Sequence, residues 1–182
     1  MTPESPEIVK LKVCMAGEAM VGKTSLIRRF VLDEYDDRYT ATLGTKITKK
    51  TIRMDHPKDG RPLQVDLILW DIMGTATLRE LLKEAYYHGA QGILGVADVT
   101  RAETLQALED WSRSIRSVAG DIPMYIVVNK DDVQEGRALR DAEINGYCKP
   151  RGWPWAYTSA KEGTGVEDAF RGVVVRVLAG PG

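Results

Sequence analysis

Residues 17–25, Gly17-Glu18-Ala19-Met20-Val21-Gly22-Lys23-Thr24-Ser25, have the types and spacing of a phosphate-binding loop, G-x-x-x-x-G-K-[ST]. Gly17 and Gly22 can take positive φ, which lets the chain curl tightly. The curled backbone aims its N–H groups inward, and a helix starting at Lys23 adds the positive end of its dipole. Lys23 then reaches the β- and γ-phosphates of a nucleoside triphosphate, and the Thr24 hydroxyl ligates Mg²⁺. The context fits this chemistry. Ile8 to Ala16 reads as a buried strand and Lys23 to Leu32 as a helix. The alternative is a glycine-containing turn with a chance Lys-Thr.

Three further clusters could complete such a site. In Leu69-Trp70-Asp71-Ile72-Met73-Gly74, Asp71 ends a buried strand, where a carboxylate can hold Mg²⁺ through a water or cap the next turn. Val127-Val128-Asn129-Lys130-Asp131-Asp132 ends another apolar strand with the pattern N-K-x-D. The Asp132 carboxylate can only accept hydrogen bonds. Guanine offers two donors on one edge and adenine has no matching pair, so an acceptor there selects guanine. Thr158-Ser159-Ala160-Lys161 follows a short strand. Its backbone is placed to meet the base carbonyl and the Lys161 stem to cover the base; a plain strand-to-helix loop is the bland alternative.

The elements that must position these residues alternate along the chain. Strands are predicted at 8–16, about 45–54, 64–71, 92–98, 124–129 and 155–158, and helices at 23–32, 77–87, 103–118, 137–149 and 166–178. Asp59-Gly60 predicts an antiparallel hairpin between the second and third strands. Leu105, Leu108, Trp111, Ile115 and Val118 recur at helical spacing and are expected to face the sheet. The fold class is α/β: a mostly parallel six-stranded sheet with about five helices and the sites at the carboxyl ends of the strands. Residues 1–7, with two prolines, read as a loose arm, and 8–180 as one domain.

Composition narrows the class. The net charge of −1 points away from nucleic acid and from a polybasic membrane segment. The two cysteines, Cys14 and Cys148, suit a reduced cytoplasmic compartment better than a disulfide scaffold. No apolar run reaches the ~18 residues of a membrane span. Neither end carries a lipidation signal, so no direct membrane anchor is expected, and recruitment would come through a protein partner or a missing tail.

These motifs, with Tyr86-Tyr87-His88-Gly89-Ala90-Gln91-Gly92 and Asp98-Val99-Thr100-Arg101-Ala102-Glu103-Thr104, make the chain resemble a Ras-superfamily small GTPase, closest to the Rab-like branch. The resemblance runs from residue 8 to about 178. It implies a P-loop NTPase G domain with GTP or GDP and Mg²⁺, and exchange-factor, activating-protein and effector partners. It puts Tyr35 against the guanine, Tyr39 over the phosphates and Thr42 on Mg²⁺ beside the γ-phosphate; packing on a surface loop is the alternative for the two tyrosines. Gly74 would meet the γ-phosphate.

The chain departs from the resemblance around that phosphate. Where the family reads D-T-A-G-Q, this sequence reads Asp71-Ile72-Met73-Gly74-Thr75, so the water-orienting glutamine is Thr75. Ala19 and Met20 stand where glycines are common. The base site and the Mg²⁺ ligands Thr24, Thr42 and Asp71 are intact. The expectation is a guanine-nucleotide switch with slow intrinsic hydrolysis, in which Lys23, Thr42, Gly74 and Thr75 carry the chemistry. The rival reading is a non-hydrolysing GTP-bound scaffold. A P-loop kinase or ATPase is disfavoured by Asn129-Lys130-Asp132. Lys46, Lys49 and Lys50 read as the solvent face of an edge strand, and Gly152-Trp153-Pro154-Trp155 as packing of the last strand.

Overall fold

The computed structural model describes residues 5–38, 44–72 and 75–180. Six strands form one sheet in the order β2-β3-β1-β4-β5-β6. They are β1 (Glu7–Ala16), β2 (Thr45–Asp55), β3 (Pro62–Ile72), β4 (Gly92–Asp98), β5 (Met124–Asn129) and β6 (Trp155–Tyr157). Only β2 runs antiparallel, hydrogen-bonded to β3 through the hairpin around Asp59-Gly60. Gly60 closes that turn at φ 71° with its N–H on the His56 carbonyl at 2.8 Å. β1 pairs in parallel with β3 and β4, which is why its last residues, Val13–Ala16, are wholly buried.

Helices cover both faces. On one, α1 (Lys23–Leu32) and α6 (Val166–Ala179) pack Leu26, Ile27, Phe30, Phe170 and Val173 against Val13, Met15, Leu67 and Val96. Phe30 and Phe170 stack at 4.2 Å between ring centroids. On the other face lie α2 (Ala76–Tyr87), α3 (Ala102–Gln106), α4 (Leu108–Ala119) and α5 (Asp141–Cys148). Leu105, Leu108, Trp111 and Ile115 are buried against Cys14, Ile93 and Ile126, and Val118 packs at the margin. Each such side chain contributes about 1.5–3 kcal/mol by leaving water. Among the described residues no helix is long and apolar enough to cross a membrane.

Three expectations are corrected. The helix predicted at 103–118 is two consecutive segments, α3 and α4, with Ala107 between them still in helical conformation at φ −62°. The helix predicted at 137–149 spans only Asp141–Cys148, followed by a 3₁₀ turn at Lys149–Arg151. The backbone N–H groups of Ala138 and Leu139 both go to the Val99 carbonyl instead, at 2.8 and 3.0 Å. The basic cluster does not share a face, because strand side chains alternate. Lys49 pairs with Asp66 at 2.7 Å, while the Lys50 ammonium lies 5.3 Å from the Phe30 ring on the opposite side. Trp153 is buried, consistent with packing around β6.

Candidate nucleotide-binding site

The phosphate loop joins β1 to α1. Gly17 and Gly22 have φ of 143° and 104°. A Cβ on Gly17 would stand 2.4 Å from the Val96 carbonyl oxygen, and one on Gly22 would stand 2.3 Å from the Asn129 amide nitrogen. Glycine is therefore required both by the curl and by close approach to β4 and β5. The Lys23 ammonium folds back into the loop, donating to the Gly17 carbonyl at 2.6 Å and the Glu18 carbonyl at 2.9 Å. Burial lowers it to about 8; Asp71 and Glu18 oppose the shift and Arg101 adds to it. No acidic residue sits in the first turn of α1, so its positive end is left for an anion.

The Thr24 hydroxyl donates to the Asp71 carboxylate, so the end of β3 and the start of α1 meet at the loop. Two hard oxygen donors brought together suit Mg²⁺, which takes few protein ligands and keeps phosphate oxygens and waters. Thr75 is exposed as the residue preceding α2, with extended backbone at φ −91°. Tyr39, Thr42, Met73 and Gly74 lie outside the described residues.

Beside the loop is a cavity of about 240 Å³ lined by Gly22, Ser25, Tyr35, Asn129, Asp132 and Lys161, among others. It brings together residues from four separate segments. Asn129 holds them together: its amide donates to the Val21 carbonyl at 3.0 Å, and its oxygen accepts from the Ala160 N–H and the Thr158 hydroxyl, each at 3.2 Å. Asp132 is fixed by the Ser159 hydroxyl at 2.6 Å, which leaves its other lone pairs for donors in the cavity. Burial, with Asp37 hydrogen-bonded to it, raises the Tyr35 phenol, so this ring stays neutral at the rim. Lys130 has φ 69° and turns its ammonium onto the buried Asp98 carboxylate at 2.6 Å.

Sequence reasoning missed four residues that position this site. Arg29, on α1, donates to the Ala160 carbonyl at 2.8 Å and the Lys161 carbonyl at 2.6 Å, tying the loop at 160–161 to the helix that follows the phosphate loop. Trp111 donates from its indole to the Glu18 carboxylate at 3.0 Å, anchoring the phosphate loop to α4. Asp98 holds Lys130 and Arg101. Arg101 also reaches the Ala19 carbonyl at 3.0 Å. Only Asp98 carried a usable signal: like Asp71, it is a carboxylate ending an apolar strand.

The sequence model of the Ras family matches residues 12–179. The chain is 33% identical to the Ras-related protein RABD2a of Arabidopsis thaliana, over 93% of this chain and 80% of that one. It is 33% identical to the Ras-related protein Rab-18-B of Danio rerio, over 96% and 82% of the two chains. With the Ras-related protein Rab-32 of Homo sapiens the identity is 32%, over 97% and 78%. A loop of the phosphate-binding pattern, a cavity beside it lined by Asn129 and Asp132 and matches of this extent lead to one assignment: the chain belongs to the Ras family of small GTPases, within its Rab-like branch.

Proposed function

We propose that this GTPase is a guanine-nucleotide switch whose intrinsic hydrolysis is slow and is completed by a protein partner. The observation that carries the reading is Thr75. It stands in the place of the water-orienting glutamine, exposed before α2, and its single short hydroxyl cannot span the reach of an amide. Asp132 selects guanine, with Tyr35, Ser159, Ala160 and Lys161 framing the base and Asn129 and Lys130 holding that frame. The phosphate loop, residues 17–25, takes the phosphates on its N–H groups, and Lys23 exchanges the Gly17 and Glu18 carbonyls for phosphate oxygens. Thr24 and Asp71, with Thr42, would hold Mg²⁺. When bound, that ion neutralises charge developing on the phosphates. The resemblance assigns the γ-phosphate contact to Gly74 and a place over the phosphates to Tyr39. The working unit is the domain from residue 8 to about 180, and the two buried free thiols support a reduced, cytoplasmic setting. Exchange, activating and effector proteins act on the surfaces around the loop.

Single-turnover GTP hydrolysis with Mg²⁺, with and without cell extract, tests this. A slow basal rate accelerated by extract supports the switch. A basal rate equal to that of glutamine-bearing relatives overturns slow hydrolysis. A rate that no extract raises, with GTP co-purifying, replaces the switch by a GTP-bound scaffold.

A further inference from the structure

The loop leaving β4 carries an arginine that the reading above does not use. Asp98 is 1% exposed and its carboxylate organises this loop. One oxygen accepts from the Thr100 N–H at 2.9 Å and the Thr100 hydroxyl at 2.7 Å. The other accepts from the Lys130 ammonium at 2.6 Å and from the Arg101 Nε at 3.2 Å. Burial pushes the carboxyl up, but the bonds from Lys130 and Thr100 outweigh it and hold the group ionised, below the usual carboxylate range. One negative charge thus serves two cations; the Arg101 contact is the longer, 3.2 Å against 2.6 Å for Lys130, and the same guanidinium also reaches the phosphate loop at the Ala19 carbonyl.

Three successive loop carbonyls are capped by cations. Lys23 takes those of Gly17 and Glu18, and the Arg101 Nη2 takes that of Ala19 at 3.0 Å. A carbonyl carries a partial charge, whereas a phosphate oxygen carries a formal one and makes the stronger charge-assisted bond. Lys23 exchanges carbonyl for phosphate when nucleotide enters, and Arg101 stands in the same relation to the next carbonyl along. Ala19 is one of the positions at which the sequence departs from the family pattern around the γ-phosphate. A planar guanidinium suits phosphate geometry better than an ammonium does.

We propose that Arg101 is a second phosphate-binding cation of this chain, exchanging the Ala19 carbonyl for the terminal phosphate of GTP and so favouring triphosphate over diphosphate. Asp98 is the pivot that keeps it at the rim. The chain thereby carries in cis a charge that offsets part of what Thr75 lacks. The inference rests on guanine-nucleotide binding as read above.

The test compares nucleotide-free wild type, Arg101→Ala and Arg101→Gln by titration with GDP and with a non-hydrolysable GTP analogue, both with Mg²⁺. Glutamine can still donate to the Ala19 carbonyl but has no charge, so it separates a clamp from a phosphate ligand and serves as the second variant if the alanine protein does not fold. The expected result is a loss of about tenfold to a hundredfold in affinity for the GTP analogue in both variants, with GDP affinity nearly unchanged. Equal losses for GDP and the analogue, rescued by glutamine, mean that Arg101 only braces the loop, and they overturn the proposal. Unchanged affinities overturn it as well. Wild type that binds neither nucleotide overturns the underlying nucleotide reading, and this proposal with it.

Discussion

The side-chain amide of Asn129 donates a 3.0 Å hydrogen bond to the Val21 carbonyl, joining the end of β5 to the phosphate loop across 108 residues of sequence. The same side chain accepts from Ala160 and Thr158. One amide therefore makes the cavity beside Asp132 and the phosphate loop a single mechanical unit. The close pass of Gly22 beneath it exists because glycine has no side chain to obstruct it.

Asn129→Ala removes all three bonds, to a buried carbonyl, a buried N–H and the buried Thr158 hydroxyl. Each orphaned group is expected to cost about 1–3 kcal/mol. Urea unfolding of the nucleotide-free protein should show the loss, and GDP should dissociate faster. An unchanged midpoint together with an unchanged dissociation rate would mean that the two loops hold each other by other means.

Asp132→Asn keeps an acceptor for the Ser159 hydroxyl but replaces the charged acceptor proposed for the base by an amide. Loss of a charge-assisted pair should weaken GDP binding by about 1.5–3 kcal/mol, roughly tenfold to a hundredfold, with little change in melting temperature. GDP affinity equal to wild type would remove Asp132 from the base site.

Nucleotide affinity should depend on pH through Lys23. Its ammonium, lowered to about 8 chiefly by burial in the nucleotide-free protein, is favoured in its charged form by phosphate. Binding is then full below that pH and weakens above it, by at most about tenfold per pH unit, because a proton must be taken up. The effect on folding runs the other way. The unfolded chain keeps the proton up to the ordinary 10.5, so the nucleotide-free fold gains stability from this group between about 8 and 10.5. GDP titrations between pH 7 and 9 check the first effect; a flat profile would show that Lys23 is charged throughout.

Met20 is exposed and has φ of 66°, a left-handed conformation that costs a residue bearing a Cβ about 1 kcal/mol. Met20→Gly should raise the melting temperature of the nucleotide-free protein by about 2–4 °C. Ala19, which is not among the positive-φ residues, is the control, and Ala19→Gly should give no such gain. An equal rise at both positions would mean that the effect is not backbone strain.

Thr75→Gln should accelerate single-turnover hydrolysis by less than the roughly 10²–10⁴-fold that an oriented water is worth. The family has smaller residues at positions 19 and 73, where this chain has Ala19 and Met73, so glutamine alone is expected to restore only part of the arrangement. The triple change Ala19→Gly, Met73→Ala and Thr75→Gln should therefore exceed the product of the single effects. Multiplicative rates would show that the three positions do not share a site.

Much of this protein was legible in its residues taken in order. The phosphate loop, the strand-ending Asp71 and the Asn129-Lys130-Asp132 run each lie within one segment, and their chemistry depends on immediate neighbours. β4 and β5 match their expected bounds residue for residue, because a buried central strand is an unbroken apolar run between polar turns. Local patterning failed where a distant group competed for the backbone. Residues 137–140 have helical propensity, but the Val99 carbonyl takes the N–H groups of Ala138 and Leu139, and Arg137 bonds the Asp131 carboxylate and the Val133 carbonyl. The helix starts only at Asp141, where the Arg140 N–H finds the Glu143 carboxylate. Likewise Lys46, Lys49 and Lys50 look like one patch until the alternation of β2 divides them between the two sides of the sheet. What only the tertiary structure decided is which side chains brace the site. Arg29 meets the loop at 160–161 from 131 residues away, Trp111 meets Glu18 from 93, and Arg101 meets Ala19 from 82. Spacing along the chain carries no trace of such pairs, because the sheet order β2-β3-β1-β4-β5-β6 brings the carboxyl ends of β1, β4 and β5 side by side only after folding.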